Sequence, residues 1–252
     1  MIEHLSFGIL GNKLGNPWVK LTRNRLRIGM AAIILKNRAS RCKSMNEHVE
    51  VCFDTFASFP LTLVGWSLRP AQIKEELESL MEILEQKKPK KILEIGTGSG
   101  GTLYLFTRVA DPNALLISID LPGGTFGGGY PQWKDRYYKS LAVNHQTIHL
   151  IRGDSHSLTT LQTVDHLLNK SLVDFLFIDG DHRYEGVKTD FEIYSRLVGK
   201  DSLIVLHDIA PGPEEKVGGV PIFWNHVKDR FRYVEFVKDW KQGGWGIGVL
   251  YT

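Results

Sequence analysis

Alternation between short apolar runs and helical segments is the strongest constraint on the fold of this chain. Residues 69–86 carry apolar side chains at helical spacing, and five apolar runs follow, at 90–96, 114–120, 147–154, 173–179 and 202–208. Continuous apolar runs are typical of strands that are buried on both faces, and their alternation with helices indicates a parallel sheet. We therefore predict an α/β fold with a doubly wound, Rossmann-like and mostly parallel sheet.

The C-terminal part of the chain interrupts this alternation. Two further strand-like runs, 232–238 and 245–252, are joined only by a short link around DWKQGG. Parallel pairing would require a crossover of a dozen or more residues, and the link leaves no room for one. These two runs are therefore expected to form an antiparallel hairpin at one edge, which makes seven strands in total.

The N-terminal region differs from the rest of the chain in charge. Residues 1–46 contain nine lysines and arginines and one acidic residue, a net charge of 9 − 1 = +8. The remainder carries 22 bases and 27 acids, a net charge of 22 − 27 = −5. We predict a basic, helical arm over residues 1–65, used for packing or for homo-oligomer formation, and a main domain over 66–252. A basic arm can also contact an anionic membrane surface, whereas we expect no nucleic-acid partner.

Other features of the sequence indicate an ordinary soluble protein. Hydrophobic residues make up 42% of the chain and charged residues 23%, as in globular proteins. The two cysteines, Cys42 and Cys52, match neither a zinc site nor a disulfide framework. The longest N-terminal apolar run, 28–35, is too short to span a bilayer and lacks a convincing cleavage site. We therefore expect a cytoplasmic protein.

A glycine-rich turn follows the first strand, in the stretch ILEIGTGSGGTL. Gly96, Gly98 and Gly100 lie where a buried strand turns into a helix, and such a turn allows close backbone approach to a ligand. Gly96, Gly98 and Gly101 also satisfy the G-x-G-x-x-G spacing of dinucleotide-binding proteins. An NAD(P)-dependent oxidoreductase is therefore an alternative at this point.

Acidic residues lie near the carboxyl ends of the first three strands. Glu94 would be unfavourable beside a pyrophosphate but suits the ammonium group of an amino acid. Asp120 is placed to accept hydrogen bonds from ribose hydroxyls. Asp154 can accept from an adenine amino group, although each of these acids could instead cap a helix.

The ordered set of these features resembles class I S-adenosylmethionine-dependent methyltransferases, over about residues 70–252. The glycine loop, the acid after the second strand, the Gly-Asp pair after the third and the antiparallel closing strand carry the resemblance. It implies that the main domain is catalytic and binds S-adenosyl-L-methionine. The implied cofactor-binding residues are Glu94, Gly96, Thr97, Gly98, Gly100, Asp120 and Asp154.

A second polar cluster follows the fourth and fifth strands, in FIDGDHRYEG and LHDI. The two strands are expected to be neighbours, so their ends should bring together Asp179, Asp181, His182, His207 and Asp208. Carboxylates repel each other unless a cation, a proton or a basic group lies between them. A divalent metal, Mg²⁺ or Mn²⁺, resolves this repulsion most simply, because carboxylate oxygens suit both ions.

This second cluster is similar to that of the methyltransferases grouped with cephalosporin hydroxylase-type proteins and with rhamnosyl and macrolide-sugar O-methyltransferases. The resemblance implies metal ligands at Asp179 and Asp208, with His207 where an acid is usual, and with Asp181 as a further candidate. It also implies that His182 acts as general base, with Asp179 beside the reaction centre. An imidazole ligand favours Mn²⁺ over Mg²⁺.

The sequence therefore predicts a metal-assisted O-methyltransferase that acts on a hydroxyl of a small molecule or glycosyl unit. The glycine-rich stretch 121–133, with aromatic residues such as Phe126 and Tyr130, is interpreted as a lid or acceptor surface. A non-catalytic ligand-binding protein that uses the basic arm is a third hypothesis. The identity of the acceptor cannot be inferred from fold analogy.

Overall fold

The computed structural model describes residues 17–54, 67–124, 126 and 128–252, with only the backbone for 17–25 and 27. Its centre is a seven-stranded sheet with the strand order β3-β2-β1-β4-β5-β7-β6. The strands are β1 Lys91–Ile95, β2 Leu115–Asp120, β3 Thr147–Arg152, β4 Val173–Ile178, β5 Val198–His207, β6 Arg232–Phe236 and β7 Ile247–Tyr251.

The pairing of these strands confirms the predicted doubly wound fold. Strands β1 to β5 pair in parallel, and β7 runs antiparallel to both β5 and β6. The C-terminal hairpin therefore closes one edge of the sheet. Strand β5 begins four residues earlier than its apolar run, because Val198 already pairs with Val173 of β4. The register then shifts before Phe175 pairs with Leu203.

Helices cover both faces of the sheet, and each face has its own hydrophobic core cluster. In α3 the predicted apolar stripe is fully buried at Leu77, Leu80, Met81 and Leu84. The helices are α1 Pro17–Ala39, α2 Met45–Asp54, α3 Lys74–Lys87, α4 Gly101–Val109, α5 Asp135–Lys139, α6 Leu158–Leu168, α7 Tyr184–Tyr194, α8 Glu214–Val217 and α9 Val220–Val227.

The N-terminal helices pack into the same core as the main domain. Ile28 and Leu35 of α1 and Val49 and Cys52 of α2 belong to the cluster that also contains the buried face of α3. The predicted boundary at residue 65 lies in 55–66, outside the described residues. Within the described part of the chain, no helix is long and apolar enough to cross a membrane.

The topology determines where a ligand can bind. The strand order reverses between β1 and β4, since β2 and β3 lie on one side of β1 and β4 and β5 on the other. In open α/β sheets, the crevice beyond the carboxyl ends of the strands at such a switch point is the usual ligand site. The polar residues that end β1, β2, β4 and β5 all lie at this edge.

Candidate active site

A cleft of about 910 Å³ opens at this edge of the sheet. Most residues predicted for the site lie on its wall, whereas Glu94 and Gly100 do not. The predicted residues on the wall are Gly96, Thr97, Gly98, Asp120, Asp154, Asp179, Asp181, His182, His207 and Asp208.

The glycines of the loop after β1 differ in what surrounds them. A Cβ on Gly96 would lie 2.0 Å from the carbonyl oxygen of Asp179, and one on Gly100 would lie 2.6 Å from the ring of Tyr138. Both positions are therefore restricted by packing within the protein. Gly98 has a φ of +48°, and a Cβ there would meet no described atom within 4 Å. Gly98 is thus the position in this loop where a ligand can approach the backbone closely.

Glu94 lies beneath the loop and is fully buried. Its carboxylate accepts hydrogen bonds from Thr102 Oγ1, at 2.5 Å, and from Ser118 Oγ. Burial raises the pKa of Glu94 to about 7, although the two hydroxyl hydrogen bonds oppose this shift. The side chain joins β1, β2 and α4 below the cleft, and its predicted contact with a cofactor stays a prediction.

Asp120 ends β2 on the cleft wall and fixes two loops. One carboxylate oxygen accepts from the backbone N–H of Gly98 at 2.7 Å, and the other accepts from the backbone N–H of Gly129. Burial raises the pKa of Asp120, and the backbone hydrogen bonds counteract this effect. The acid therefore connects the glycine loop to the glycine-rich segment that follows β2.

The end of β3 contributes Asp154 together with a residue that the sequence did not indicate, His156. Asp154 is exposed and accepts from the backbone N–H of His156 at 2.9 Å. The Nε2 atom of His156 lies 3.3 Å from Oδ1 of Asp190, which is fully buried in α7. The nearby side chain of Asp190 raises the pKa of His156, against the effect of burial. This pair attaches the β3 loop to α7.

The ends of β4 and β5 bring together the second predicted cluster. His207 Nδ1 lies 3.0 Å from Oδ1 of Asp179 and 3.3 Å from Oδ2 of Asp208. His182 lies between the same two acids, with Nε2 3.5 Å from Asp179 and Nδ1 3.4 Å from Asp208. Two carboxylates and two imidazoles therefore share one end of the cleft.

The ionisation of this cluster is strongly coupled. Burial opposes the charged form of Asp179, but the charge and hydrogen bonds of the histidines outweigh it and hold the pKa of that carboxyl well below its usual range. Burial likewise lowers the pKa of His182 and of His207, but the neighbouring carboxylates raise both above the ordinary value. The acids thus attract positive charge to this position.

The orientation of His182 is fixed by its surroundings. Its Nδ1 lies 2.5 Å from the carbonyl oxygen of Lys216, and a carbonyl can only accept, so Nδ1 donates. The ring of Phe126 stacks on the imidazole with the centroids 4.7 Å apart. In the neutral form, Nε2 therefore carries the lone pair that can accept a proton or bind a cation.

The donor set fits a divalent cation. Asp179, His182 and Asp208 each offer one ligand atom, and these atoms lie within 4.8 Å of one another. Carboxylate oxygens combined with an imidazole suit Mn²⁺ and related ions. Asp181 instead pairs with Arg183. Nδ1 of His207 donates to Oδ1 of Asp179. The predictions for His207 and Asp181 as ligands stay predictions.

Three further residues shape this end of the cleft and were not indicated by the sequence. Gln72, just before α3, donates to Oδ2 of Asp179 at 2.5 Å. The backbone N–H of Trp245 donates to Oδ1 of Asp208 at 3.0 Å, and Lys216 lies over the Trp245 ring. Asp208 and Trp245 both have positive φ, at 62° and 61°, which is uncommon for residues other than glycine. These residues come from distant segments without a recognisable motif.

Comparison with known proteins agrees with this geometry. Residues 93–209 match the family model described as a methyltransferase domain. This part of the chain is therefore similar to a methyltransferase domain. The matched segment runs from β1 through the end of β5 and so includes the glycine loop and both acidic clusters.

The chain spans only part of the length of the curated relatives that it matches. Protein R132 of Acanthamoeba polyphaga mimivirus is 33% identical over 132 residues, which cover 52% of this chain and 57% of that protein. The chain spans 14% of the length of a second relative, protein y4gI of Sinorhizobium fredii, with 27% identity over 131 residues.

Solved structures of O-methyltransferases share the fold of this chain. The O-methyltransferase TomG of Streptomyces achromogenes, determined in complex with SAM, has a TM-score of 0.55 at 17% identity, covering 82% of this chain and 90% of TomG. An O-methyltransferase of Bacillus cereus, in complex with SAH, has a TM-score of 0.57 at 15% identity, covering 89% of this chain and 100% of the other. The predicted fold and class I methyltransferase resemblance are confirmed.

Proposed function

We propose that this protein is an S-adenosylmethionine-dependent O-methyltransferase, assisted by a divalent metal, that methylates a hydroxyl of a small molecule or glycosyl unit. One observation carries the proposal. The cluster of Asp179, His182 and Asp208 lies in the same cleft as Gly98 and Asp120. A donor site and a site that activates an acceptor are therefore placed side by side.

The cofactor end of the cleft suits S-adenosylmethionine. Gly98 allows close approach of the backbone, and Asp120 offers carboxylate oxygens at the position expected for a ribose diol. Asp154 and His156 line the wall where an adenine would follow. TomG was determined in complex with SAM and the Bacillus cereus enzyme in complex with SAH, and both share this fold, which supports the choice of cofactor.

The reacting end supplies a base for the acceptor. In the transfer, the acceptor oxygen forms a bond with the methyl carbon as the carbon–sulfur bond breaks, which leaves S-adenosylhomocysteine and releases the hydroxyl proton. Nε2 of His182 accepts that proton, and the hydrogen bond from Nδ1 to Lys216 fixes the ring for this role. A divalent cation held by Asp179 and Asp208 would lower the pKa of the acceptor hydroxyl and leave Nε2 of His182 free to accept the proton.

Neighbouring groups keep the acids in position. Gln72 and His207 each contact a different oxygen of Asp179, and the Trp245 backbone fixes Asp208. Groups whose orientation is fixed before the reaction stabilise a transition state without further reorganisation. We therefore assign Gln72 and His207 as positioning residues for the acid after β4.

The acceptor side of the cleft combines aromatic and cationic groups. Phe126 lies on His182, and Lys216 lies over Trp245 at 5.1 Å. Aromatic faces are suitable surfaces for the C–H faces of a sugar ring or for a planar acceptor. A small glycosyl or aromatic acceptor is therefore favoured over nucleic acid.

We also propose that the protein is a cytoplasmic enzyme that can form homo-oligomers.

Calorimetry with S-adenosylhomocysteine and with NADH tests the identity of the cofactor. We expect saturable binding of S-adenosylhomocysteine and none of NADH, because a carboxylate-lined cleft disfavours a pyrophosphate. Binding of NADH alone would instead favour the oxidoreductase alternative, to which the G-x-G-x-x-G spacing points. A panel of phenolic and glycosyl acceptors, assayed for transfer of a labelled methyl group, then defines the substrate class.

Removal of metal tests the second part of the proposal. We expect treatment with EDTA to lower turnover by about 10²-fold, and Mn²⁺ or Mg²⁺ to restore it, because the metal lowers the pKa of the acceptor hydroxyl. The Asp208→Asn variant should bind Mn²⁺ more weakly in a metal titration, whereas Asp174→Asn, at the other end of β4, should not. Full turnover in metal-free buffer would exclude metal assistance while leaving the methyltransferase proposal intact.

A further inference from the structure

Helix α1 has two apolar faces, and among the described residues one of them packs against the core while the other is exposed. Ile28, Ala31 and Leu35 are buried against the core. Leu26, Met30 and Ile33 lie on the opposite face and are 73%, 57% and 61% exposed. We call these three residues the α1 stripe. Their spacing of four and three residues places them in one row along the helix.

The α1 stripe lies within a strongly basic segment. Residues 17–43 contain eight lysines and arginines and no acidic residue. Lys36, Arg41 and Lys43 are exposed. A row of apolar side chains within a basic helix is typical of segments that lie in the interface of an anionic membrane. There the apolar side chains enter the acyl boundary, and the bases contact the headgroups.

The charge of α1 disfavours two other occupants of the stripe. A second copy docked through the same helix would bring together two segments of eight bases each, which repel one another. Nucleic acid would attract the bases, but its phosphates offer no apolar partner for Leu26, Met30 and Ile33. An anionic bilayer satisfies the charge and the apolar row together.

We propose that the α1 stripe and the surrounding bases form a docking surface for membranes that contain anionic phospholipid. Docking holds the enzyme at the membrane surface without spanning it. The inference does not depend on the methyltransferase activity, because it rests on the exposed face of α1 and on its charge.

Vesicle co-sedimentation of the full chain tests this proposal. Vesicles of phosphatidylcholine with about one third phosphatidylglycerol should bind the protein about tenfold or more tightly than pure phosphatidylcholine vesicles. The preference should decrease as NaCl rises from about 0.05 to 0.5 M, because salt screens the headgroup attraction. Equal binding to both vesicles, or binding to neither, would overturn the proposal.

Two matched triple variants separate the α1 stripe from general surface hydrophobicity. Substitution of the stripe, Leu26→Gln, Met30→Gln and Ile33→Gln, should weaken vesicle binding about tenfold or more. The control variant replaces three other exposed apolar residues, 68%, 52% and 56% exposed, and should bind as the parent does: Leu158→Gln, Leu172→Gln and Ile222→Gln.

Two further measurements complete the test. Sedimentation velocity compares the oligomeric state of the parent and of the stripe variant; a parent dimer that the stripe substitutions dissociate would overturn the proposal and assign the stripe to a subunit interface. S-adenosylhomocysteine affinity should be equal in both proteins, since the stripe lies outside the cleft. Equal vesicle binding by the stripe and control variants would also contradict the proposal.

Discussion

The two halves of the cleft use acidic side chains in different ways. In the half formed by β1 and β2, the acids are held by neutral donors of the fold. Glu94 accepts from two hydroxyls, and Asp120 accepts from two backbone N–H groups. Their hydrogen-bond partners do not change charge with pH or with substrate.

In the half formed by β4 and β5, the acids are held by groups that can change charge. Asp179 and Asp208 face the imidazoles of His182 and His207 at 3.0–3.5 Å. A proton, a cation or a substrate can replace the positive charge between them. The role of an acid at a strand end therefore depends more on its hydrogen-bond partners than on its position. Neutral partners fit a structural role, whereas partners that can change charge fit a chemical role.

The largest expected effect is on turnover in the β4–β5 half. We expect Asp179→Asn to lower kcat by about 10²–10³-fold, or about 3–4 kcal/mol of transition-state stabilisation, because the neutral amide no longer orients His182 or attracts a cation. Affinity for S-adenosylhomocysteine should stay within about threefold. Methyl-transfer kinetics and calorimetry measure these two quantities.

A matched control for this variant lies at the other end of the same strand. Asp174 of β4 accepts from the backbone N–H groups of Lys90 and Lys91, far from the cleft. Asp174→Asn should lower the melting temperature slightly and leave kcat unchanged. Equal kcat in the Asp179→Asn and parent enzymes would remove the distinction between the two halves.

The next largest effect is on stability in the β1–β2 half. Glu94→Ala should lower the free energy of unfolding by about 2–4 kcal/mol, because it leaves the buried hydroxyls of Thr102 and Ser118 without their acceptor. Glu94→Gln keeps the shape of the side chain and should lower the free energy of unfolding by less. Urea unfolding monitored by circular dichroism measures both. If Glu94 binds the cofactor instead, Glu94→Gln will weaken the affinity for S-adenosylhomocysteine more than tenfold with little loss of stability.

Glu94 also gives the protein a defined dependence of stability on pH. Burial raises its pKa in the folded protein to about 7, from an ordinary value of 4.5. Between these values the folded state binds the proton more tightly than the unfolded state does. Stability contributed by this group is therefore present at low pH and is lost as pH rises toward 7. Glu94→Gln should remove this dependence, and the parent and the variant should differ most in slope between pH 5 and 7.

The sequence predicted the parts of the fold and site that depend on strand ends. Apolar runs gave the strands, and parallel strands bring their carboxyl ends to one edge, so Asp179 and Asp208 were expected to meet. The hairpin of β6 and β7 followed from the short link between them. The role of Glu94 below the loop was not evident, because its burial depends on Thr102 and Ser118 from two other elements.

Residues outside the strand ends were beyond the reach of the sequence. Gln72 reaches Asp179 across 107 positions, and no local pattern marks it. Gly96 and Gly100 are required by packing that no local pattern marks, because protein atoms fill the space where a Cβ would lie, and their predicted contact with the cofactor stays a prediction. Long-range packing determines these outcomes, and the sequence alone does not specify which side chain will fill a gap.

A smaller effect is expected for Asp120, which joins the two loops of the cofactor half. Asp120→Ala should weaken the binding of S-adenosylhomocysteine by about 1–3 kcal/mol. The ribose loses a carboxylate acceptor, and the backbone N–H of Gly98 loses the side chain to which it donates. Calorimetry with S-adenosylhomocysteine and with its 2′-deoxy analogue separates these causes. On this substitution, the 2′-deoxy analogue should lose less affinity than S-adenosylhomocysteine does. Unchanged affinity for both ligands would place the ribose elsewhere.

The smallest expected effect concerns His156, which combines features of both halves. It lies at the cofactor end, yet its partner Asp190 is an acidic residue buried in α7. The side chain of Asp190 raises the pKa of His156, so the stability that the pair contributes is complete below the ordinary value of 6.5 and is lost as pH rises through the raised value. In Asp190→Asn, we expect the pKa of His156 to fall.

Nuclear magnetic resonance titration of the His156 ring measures this change directly. Affinity for S-adenosylhomocysteine should weaken about two- to fivefold at pH 6 in Asp190→Asn, because the loop that carries Asp154 loses its attachment to α7. The variant Asp165→Asn, an exposed acid on the neighbouring helix α6, should change neither quantity. An unchanged His156 titration in Asp190→Asn would show that the cofactor half contains no charge pair of the kind found between β4 and β5.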